Sequence, residues 1–257
     1  MNGISEVLAG YLGWLIAWLI TGQNYFIHSV QALPLHVLNG FWISELEVVL
    51  FYGFIFGIAM LLLTYRTRWI IIAFSCLLVV SCVQFSNKLS QVQQQQIVVY
   101  AINKKSAIDF VDGETIYALA DSTLTESDYI YSIQNNRWAT GMEEIILLNE
   151  HQIQAPNLFK KGNILQFHDV KLALVNQPLP KNKSIKKQLK LDYLIVQNNP
   201  KIEIADLLTY YDVDTIIFDG SNTNWAINRW KSACQTLGIA YQNIQQDGAF
   251  TIHLNGD

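Results

Sequence analysis

Leu191-Asp192-Tyr193-Leu194-Ile195-Val196-Gln197-Asn198-Asn199-Pro200 and, further along, Thr215-Ile216-Ile217-Phe218-Asp219-Gly220-Ser221 decide how this chain is read. The apolar runs Tyr193–Val196 and Thr215–Phe218 are short, rich in β-branched residues and bounded by turn formers, which predicts two strands. Between them, Ile202–Tyr211 repeats apolar residues at helical spacing. A strand, a helix and a strand make the βαβ unit of a buried sheet. In folds of this kind reactive side chains stand on the loop where a strand ends, because the backbone there is rigidly held beside a crevice. Here that loop offers two asparagines and a proline, which neither titrate near neutral pH nor bind zinc well.

Outward from this unit the pattern continues in both directions. Ile97–Ile102, Ala107–Val111, Ile116–Leu119, Glu144–Leu148, Ile164–Phe167 and Lys171–Val175 read as strands, with a tight hairpin turn at Asp112-Gly113. Ser127–Trp138 and Asn224–Leu237 read as helices, and Ile239–Asn243 and Ala249–Leu254 as closing strands turned at Asp247-Gly248. Sheets followed by helices, twice over, predict two β-sheets packed face to face with helices outside, an α+β domain of αββα layering over 97–257. Trp225 and Trp230 are expected in its core.

The amino-terminal part is different in kind. No Lys, Arg, Asp or Glu occurs from Val7 to Ser44, and Val48–Tyr65 and Trp69–Asn87 are also uncharged. The last two stretches are each long enough to cross a hydrocarbon layer of roughly 30 Å at about 1.5 Å per helical residue. Residues 1–87 are therefore expected to hold about three membrane-associated helices. The first runs from about Glu6 to Gln23, with Gly10 and Gly13 open to a neighbouring helix. Asn24–Gly40, broken at Pro34, reads as an interfacial or re-entrant segment. Glu45 and Glu47 fall at the entrance of the second helix, where a carboxylate meets the positive end of the dipole. Arg66 and Arg68 place the Tyr65–Arg68 turn in the cytoplasm by the positive-inside rule, so the third helix exits outward and the domain beyond it is extracytoplasmic. The first stretch lacks a basic leader and a small-residue cleavage site, and so reads as anchor rather than signal peptide. Gln91–Gln96, five glutamines in six residues, lies within an expected polar linker over 88–96.

From Lys88 onward, 15 basic residues face 18 acidic ones, a balance that is not the footprint of a nucleic-acid-binding domain. Cys234 is the only thiol beyond the membrane region, so no disulfide forms within the domain. His151, His168 and His253 are its only histidines, none in a His-x-His pair, and His168-Asp169 falls at a hairpin turn where both side chains are expected to be solvated. No Gly-x-Ser-x-Gly elbow, phosphate-binding glycine loop or Cys-x-x-Cys occurs. Asp219-Gly220-Ser221-Asn222, at the end of a strand, is placed to bind a ligand, but Asp-Gly and Ser-Asn are common turn formers and the turn is the favoured reading. Lys181, Lys183, Lys186, Lys187 and Lys190 form the one dense run of charge, a candidate contact for a DNA backbone although no aromatic residue is interleaved to stack bases.

Taken in order, these stretches resemble the carboxy-terminal part of the ComEC-type competence proteins, inner-membrane channels that take up single-stranded DNA. Phe41-Trp42-Ile43-Ser44-Glu45-Leu46-Glu47 looks like the end of the channel domain. Val99–Ile108 is similar to the family's opening strand and turn, and Gln245–Ile252 to its closing hairpin. Asp192–Pro200 corresponds to the strand that in the family ends in a His-His-Gly-Ser loop, here Asn198-Asn199-Pro200-Lys201. The family's His-x-His-x-Asp-His motif is absent, as in Bacteroidetes-type members. The resemblance implies a degenerate metallo-β-lactamase-like domain without catalytic residues, metal or cofactor, held in the inner membrane. It further implies membrane lipid, the remaining channel helices and single-stranded DNA as partners. Two other readings stand beside it: an envelope scaffold with no link to DNA, and a membrane-anchored hydrolase with an unrecognised site.

Overall fold

The computed structural model describes residues 2–31, 43–148, 152–179 and 188–254. Helix α1 (Asn2–Gln31) belongs to one compact unit and everything from the second helix onward to another. The helix runs well past the expected end at Gln23. Gln23, Asn24 and His28 change the surface of a helix, not its backbone, and Ser29 returns its hydroxyl to the Tyr25 carbonyl at 2.8 Å. The helical residues 24–31 therefore replace the front half of the expected re-entrant segment, while Pro34 lies outside the described residues. Nothing among the described residues stands within 4 Å of a Cβ built at Gly10 or Gly13.

Helices α2 (Glu45–Thr64) and α3 (Arg68–Gln93) are each long and apolar enough to cross a membrane. Ser44 caps α2 reciprocally with Glu47, whose carboxylate accepts from the Ser44 N–H at 2.8 Å, so that carboxylate is spent on the helix end. Gly57 lets the two helices meet closely, since a Cβ there would lie 3.1 Å from Cβ of Ala73. At the turn, Tyr65 takes the left-handed conformation that ends α2.

The stretch 88–96 is not a free linker. Helix α3 continues through Gln93, and β1 (Gln95–Val99) starts two residues later. Strands β2 (Ala107–Asp112) and β3 (Thr115–Ala120) follow as an antiparallel hairpin. Then come α4 (Glu126–Asp128), a π-helical stretch over Tyr129–Gln134, and α5 (Asn135–Ala139). The next strands are β4 (Glu144–Leu147), β5 (Gln152–Ala155), β6 (Leu158–Lys161), β7 (Ile164–Phe167), β8 (Val170–Val175) and β9 (Leu189–Val196). The chain closes with α6 (Ile204–Tyr210), β10 (Tyr211–Phe218), α7 (Asn224–Leu237), β11 (Ala240–Asn243), α8 (Ile244–Asp247) and β12 (Phe250–His253).

One sheet has the order β12-β1-β2-β3-β4, the other β11-β10-β9-β8-β7-β6-β5. In the second, β8, β9, β10 and β11 are parallel, with α6 and α7 as the crossovers. The two sheets share one core: Ile97, Val99, Ile108 and Phe110 pack against Phe167, Leu172, Ile195 and Ile217. At roughly 1.5–3 kcal/mol for each large apolar side chain, this layer is the main source of stability. On the outer face of the second sheet, Leu194, Val196, Ile216 and Phe218 bury Leu207, Ile227 and Trp230 from the helices. Val98, Tyr100 and Ile133 do the same outside the first sheet. The expected helix–sheet–sheet–helix layering is therefore present.

The junction with α3 is tightly built. Lys88 pairs with Glu114 and, at 3.0 Å, with Glu143. The Gln94 amide donates to the carbonyls of Gly113 (2.9 Å) and Thr140 (2.6 Å), and the Gly113 N–H returns to the Gln94 carbonyl at 2.8 Å. Gly113 sits at φ +60, and a Cβ there would lie 2.8 Å from the Val92 carbonyl oxygen. These bonds fix the domain directly on the end of the membrane helix.

Candidate functional site

The C-terminal ends of the parallel strands β9 and β10 meet the β1–β2 loop, and all three contribute polar side chains. Asn198 and Asn199 lie at φ +61 and +49, a left-handed region that asparagine enters more readily than most residues. Their N–H groups donate across to Ser221 Oγ (2.7 Å) and Asn222 Oδ1 (3.0 Å). Asn199 Oδ1 also accepts from the Thr223 N–H at 2.6 Å, ahead of the first turn of α7. Gln197 reaches the other way and donates to Ser106 Oγ at 2.7 Å. The amides at this strand end are thus used to tie loops together.

Asp219 stands at the centre and is fully buried. Its Oδ1 accepts from the Ser221 N–H (3.0 Å), Ser221 Oγ (2.5 Å) and Asn222 Nδ2 (3.0 Å), whereas Oδ2 has no hydrogen-bond partner among the described residues. Burial pushes its pKa up to about 6, with the polar groups of Ser106, Ser221 and Gln197 drawing it partway back. Gly220 is required beside it, because a Cβ would fall 2.2 Å from the Ile102 carbonyl oxygen, and the Gly220 carbonyl accepts from the Lys104 N–H at 2.9 Å. Asp219–Asn222 does turn the chain as expected. What the sequence did not reveal is that this turn lies inside the protein.

The donor set does not fit a zinc pair of the lactamase type. Such a site needs several imidazoles and carboxylates converging on two ions. Here one carboxylate is present, and the flanking amides already hold backbone and side-chain partners. Among the described residues no group of three or more His, Cys, Asp or Glu is placed to hold a metal ion. Ser221 Oγ donates to Asp219 and accepts from Asn198, with no imidazole in the set to activate it.

Of the domain's three histidines, His151 lies outside the described residues and the other two are elsewhere. His168 and His253 line a cleft of about 350 Å3 with Gln95, Asp192 and Asp214, at the opposite end of β1. Asp169 is exposed as the hairpin position suggested, whereas His168 is half-buried. Its Nε2 lies 3.2 Å from Asp112 Oδ1 and its ring meets Phe167 edge to face at 4.7 Å, because the β2 end packs over this turn. Of the lysine run, Lys181, Lys183, Lys186 and Lys187 lie outside the described residues, and Lys190 is exposed near the start of β9, far along that strand from Asn198.

Trp230 is buried as expected, but Trp225 is 73% exposed. Five residues apart on a helix of 3.6 residues per turn, the two point to different sides. A buried ion pair also escaped the sequence: Arg137 grips Asp109 with two bonds of 2.7 Å, and Tyr100 OH donates to the same carboxylate at 2.9 Å. Burial and the adjacent carboxylate hold the Tyr100 phenol well above its ordinary pKa.

Among known families, the model described as the ComEC C-terminal domain matches residues 97–254, which is the whole two-sheet sandwich. No curated protein and no solved structure matches the chain.

Proposed function

The chain belongs to the ComEC C-terminal domain family, and from this premise we propose that it works in competence-type uptake of single-stranded DNA across the inner membrane. It acts as a subunit or fragment of the channel and presents a lactamase-like domain that performs no hydrolysis. The single observation that carries this reading is a family match covering the sandwich, which is itself locked onto the end of an apolar helix. In this reading α1, α2 and α3 all lie in the membrane, the Tyr65–Arg68 turn faces the cytoplasm and the sandwich stands outside. Three helices do not enclose a pore wide enough for a nucleic-acid strand, so further channel helices complete the wall, and lipid surrounds the rest. The exposed Lys190, with Lys181, Lys183, Lys186 and Lys187 before it in sequence, is available to a passing phosphate backbone.

The role is tested by deleting the gene and measuring natural transformation with a selectable linear fragment. The expected result is loss of transformants, restored by supplying the chain in trans. Unchanged frequency would leave the envelope-scaffold reading in its place. Topology is tested with a single cysteine at exposed Asn163, in a background lacking the native thiols. It should react with a membrane-impermeant reagent once the outer envelope is opened, and reaction only after inner-membrane disruption would invert the orientation. Zinc- or manganese-dependent cleavage of DNA by the purified chain would favour the hydrolase instead.

A further inference from the structure

The strand-end loops close on themselves, yet the surface beside them leaves out a side chain that is normally covered. Trp225 is exposed although Trp230, on the same helix, is buried against Phe218. The indole is not loose. Arg229 lies over it with its guanidinium 5.7 Å from the ring centroid, and Arg229 is itself fixed by the Ile202 carbonyl (2.8 Å) and Glu203 (3.0 Å). The result is a presented aromatic face with a cation held against it.

Asn224, the residue before Trp225, lines a cleft of about 330 Å3 together with Asn103 and Gln245 and the Ala101–Ile102 chain. Its polar wall is made of neutral amides, which both donate and accept, and among the described residues no carboxylate lines it. Gln245 Nε2 is spent on the carbonyls of Gly220 and Asn222, which leaves its Oε1 as an acceptor. Exposed Lys104 follows Asn103 in the chain, and exposed Lys201 stands just ahead of the Ile202–Glu203 pair that anchors Arg229. A flat apolar face with a guanidinium held on it, a cleft able to match donors and acceptors, and exposed lysines next in the chain to the residues of both suit an unpaired base on a sugar-phosphate chain. A duplex hides its base faces and would not fit. A peptide partner would use the tryptophan but has no need of an amide-lined cleft beside it in the chain or of the guanidinium held on the ring.

We propose that Trp225, backed by Arg229 and flanked by the cleft of Asn103, Asn224 and Gln245, binds one nucleobase of a single DNA strand by stacking. The identity of the strand rests on the uptake reading, whereas the site rests on its own geometry and not on the lysine run. The test uses the full chain in nanodiscs with a fluorescein-labelled oligothymidylate carrying one 5-iodouracil. Trp225→Ala should weaken binding roughly five- to hundredfold, the range for losing one stacked base. Trp225→Phe should recover most of that loss. The salt dependence of binding should keep its slope in Trp225→Ala, because a neutral side chain releases no counterion. The photo-crosslink should map to Trp225.

Several results would overturn the proposal: affinity of Trp225→Ala within twofold of the unchanged chain, crosslinks only in 181–190, or duplex binding as tight as single strand. A Trp225→Ala chain that binds the oligonucleotide normally yet fails in transformation would assign the tryptophan to a protein partner. No oligonucleotide binding by the unchanged chain would also overturn it, while the gene-deletion result would still decide the uptake role separately.

Discussion

Asp219→Asn should stabilise the folded chain above pH 6, an unusual direction for a polar residue inside a network. The carboxyl titrates at about 6 in the folded protein against an ordinary value of 3.8. A folded-state pKa raised above the unfolded value means that the native protein holds its proton longer, so stability falls as pH rises from about 4 to about 6 and is flat above. The shift is about two units, which at 1.36 kcal/mol per unit corresponds to about 3 kcal/mol of stability forgone at pH 8. Asparagine mimics the protonated acid. Its carbonyl can take over the three donors on Oδ1, and its NH2 replaces the Oδ2 that has no partner among the described residues. For a domain of this size, roughly 2–4 °C accompanies each kcal/mol, so a rise of about 6–12 °C at pH 8 is the upper expectation. Thermal unfolding of the full chain in detergent would be followed by near-ultraviolet circular dichroism between pH 3 and pH 8. The two melting curves should coincide near pH 3 and separate through the window from 4 to 6. A lower melting temperature for Asp219→Asn at every pH would refute the reasoning, since it would mean that the loops need the charge itself.

Gly220→Ala should destabilise by about 1–3 kcal/mol or more, because its Cβ overlaps the Ile102 carbonyl oxygen, and hydrogen exchange at Lys104 and Asn198 should rise with it. Arg137→Ala leaves Asp109 charged and buried, a loss of about 3–5 kcal/mol. Adding Asp109→Asn should restore part of it, and additive losses would show that the pair is not coupled. Gly113→Val acts on the junction, where a side chain at φ +60 meets Val92. Trypsin should then cut after Lys88 faster, and the melting temperature of the sandwich should fall as well, because Gly113 also turns the β2–β3 hairpin at φ +60, which a β-branched residue tolerates poorly.

The parallel half of the domain was readable because Tyr193–Val196, Thr215–Phe218 and the helices between and after them carry unmixed periodicities. Strands β5 and β6 were not, since Gln152–Ala155 and Leu158–Lys161 are four residues long and Lys160 is buried, reaching the Leu148 carbonyl at 3.0 Å. Gln91–Gln96 looks like a linker by composition, but glutamine is a good helix former and here completes α3 and starts β1. At the site, Asn198 and Asn199 were legible as strand-end residues that neither titrate near neutral pH nor bind zinc well, and the structure adds that their N–H groups tie the loop to Ser221 and Asn222. Asp219-Gly220 carries the signal of an exposed turn, and nothing local reveals that Ile102 and Ser106 cover it. Trp225 and Trp230 are the same residue type at nearby positions, so only helix phase against the sheet separates them.

The most direct test of the account is complementation of the deletion strain by a chain carrying His151→Ala, His168→Ala and His253→Ala together. Transformation equal to that given by the unchanged chain is predicted, because the proposed function gives the domain a part in binding and attachment rather than in metal chemistry. Loss of transformants with the triple variant present in the membrane at normal level would contradict it.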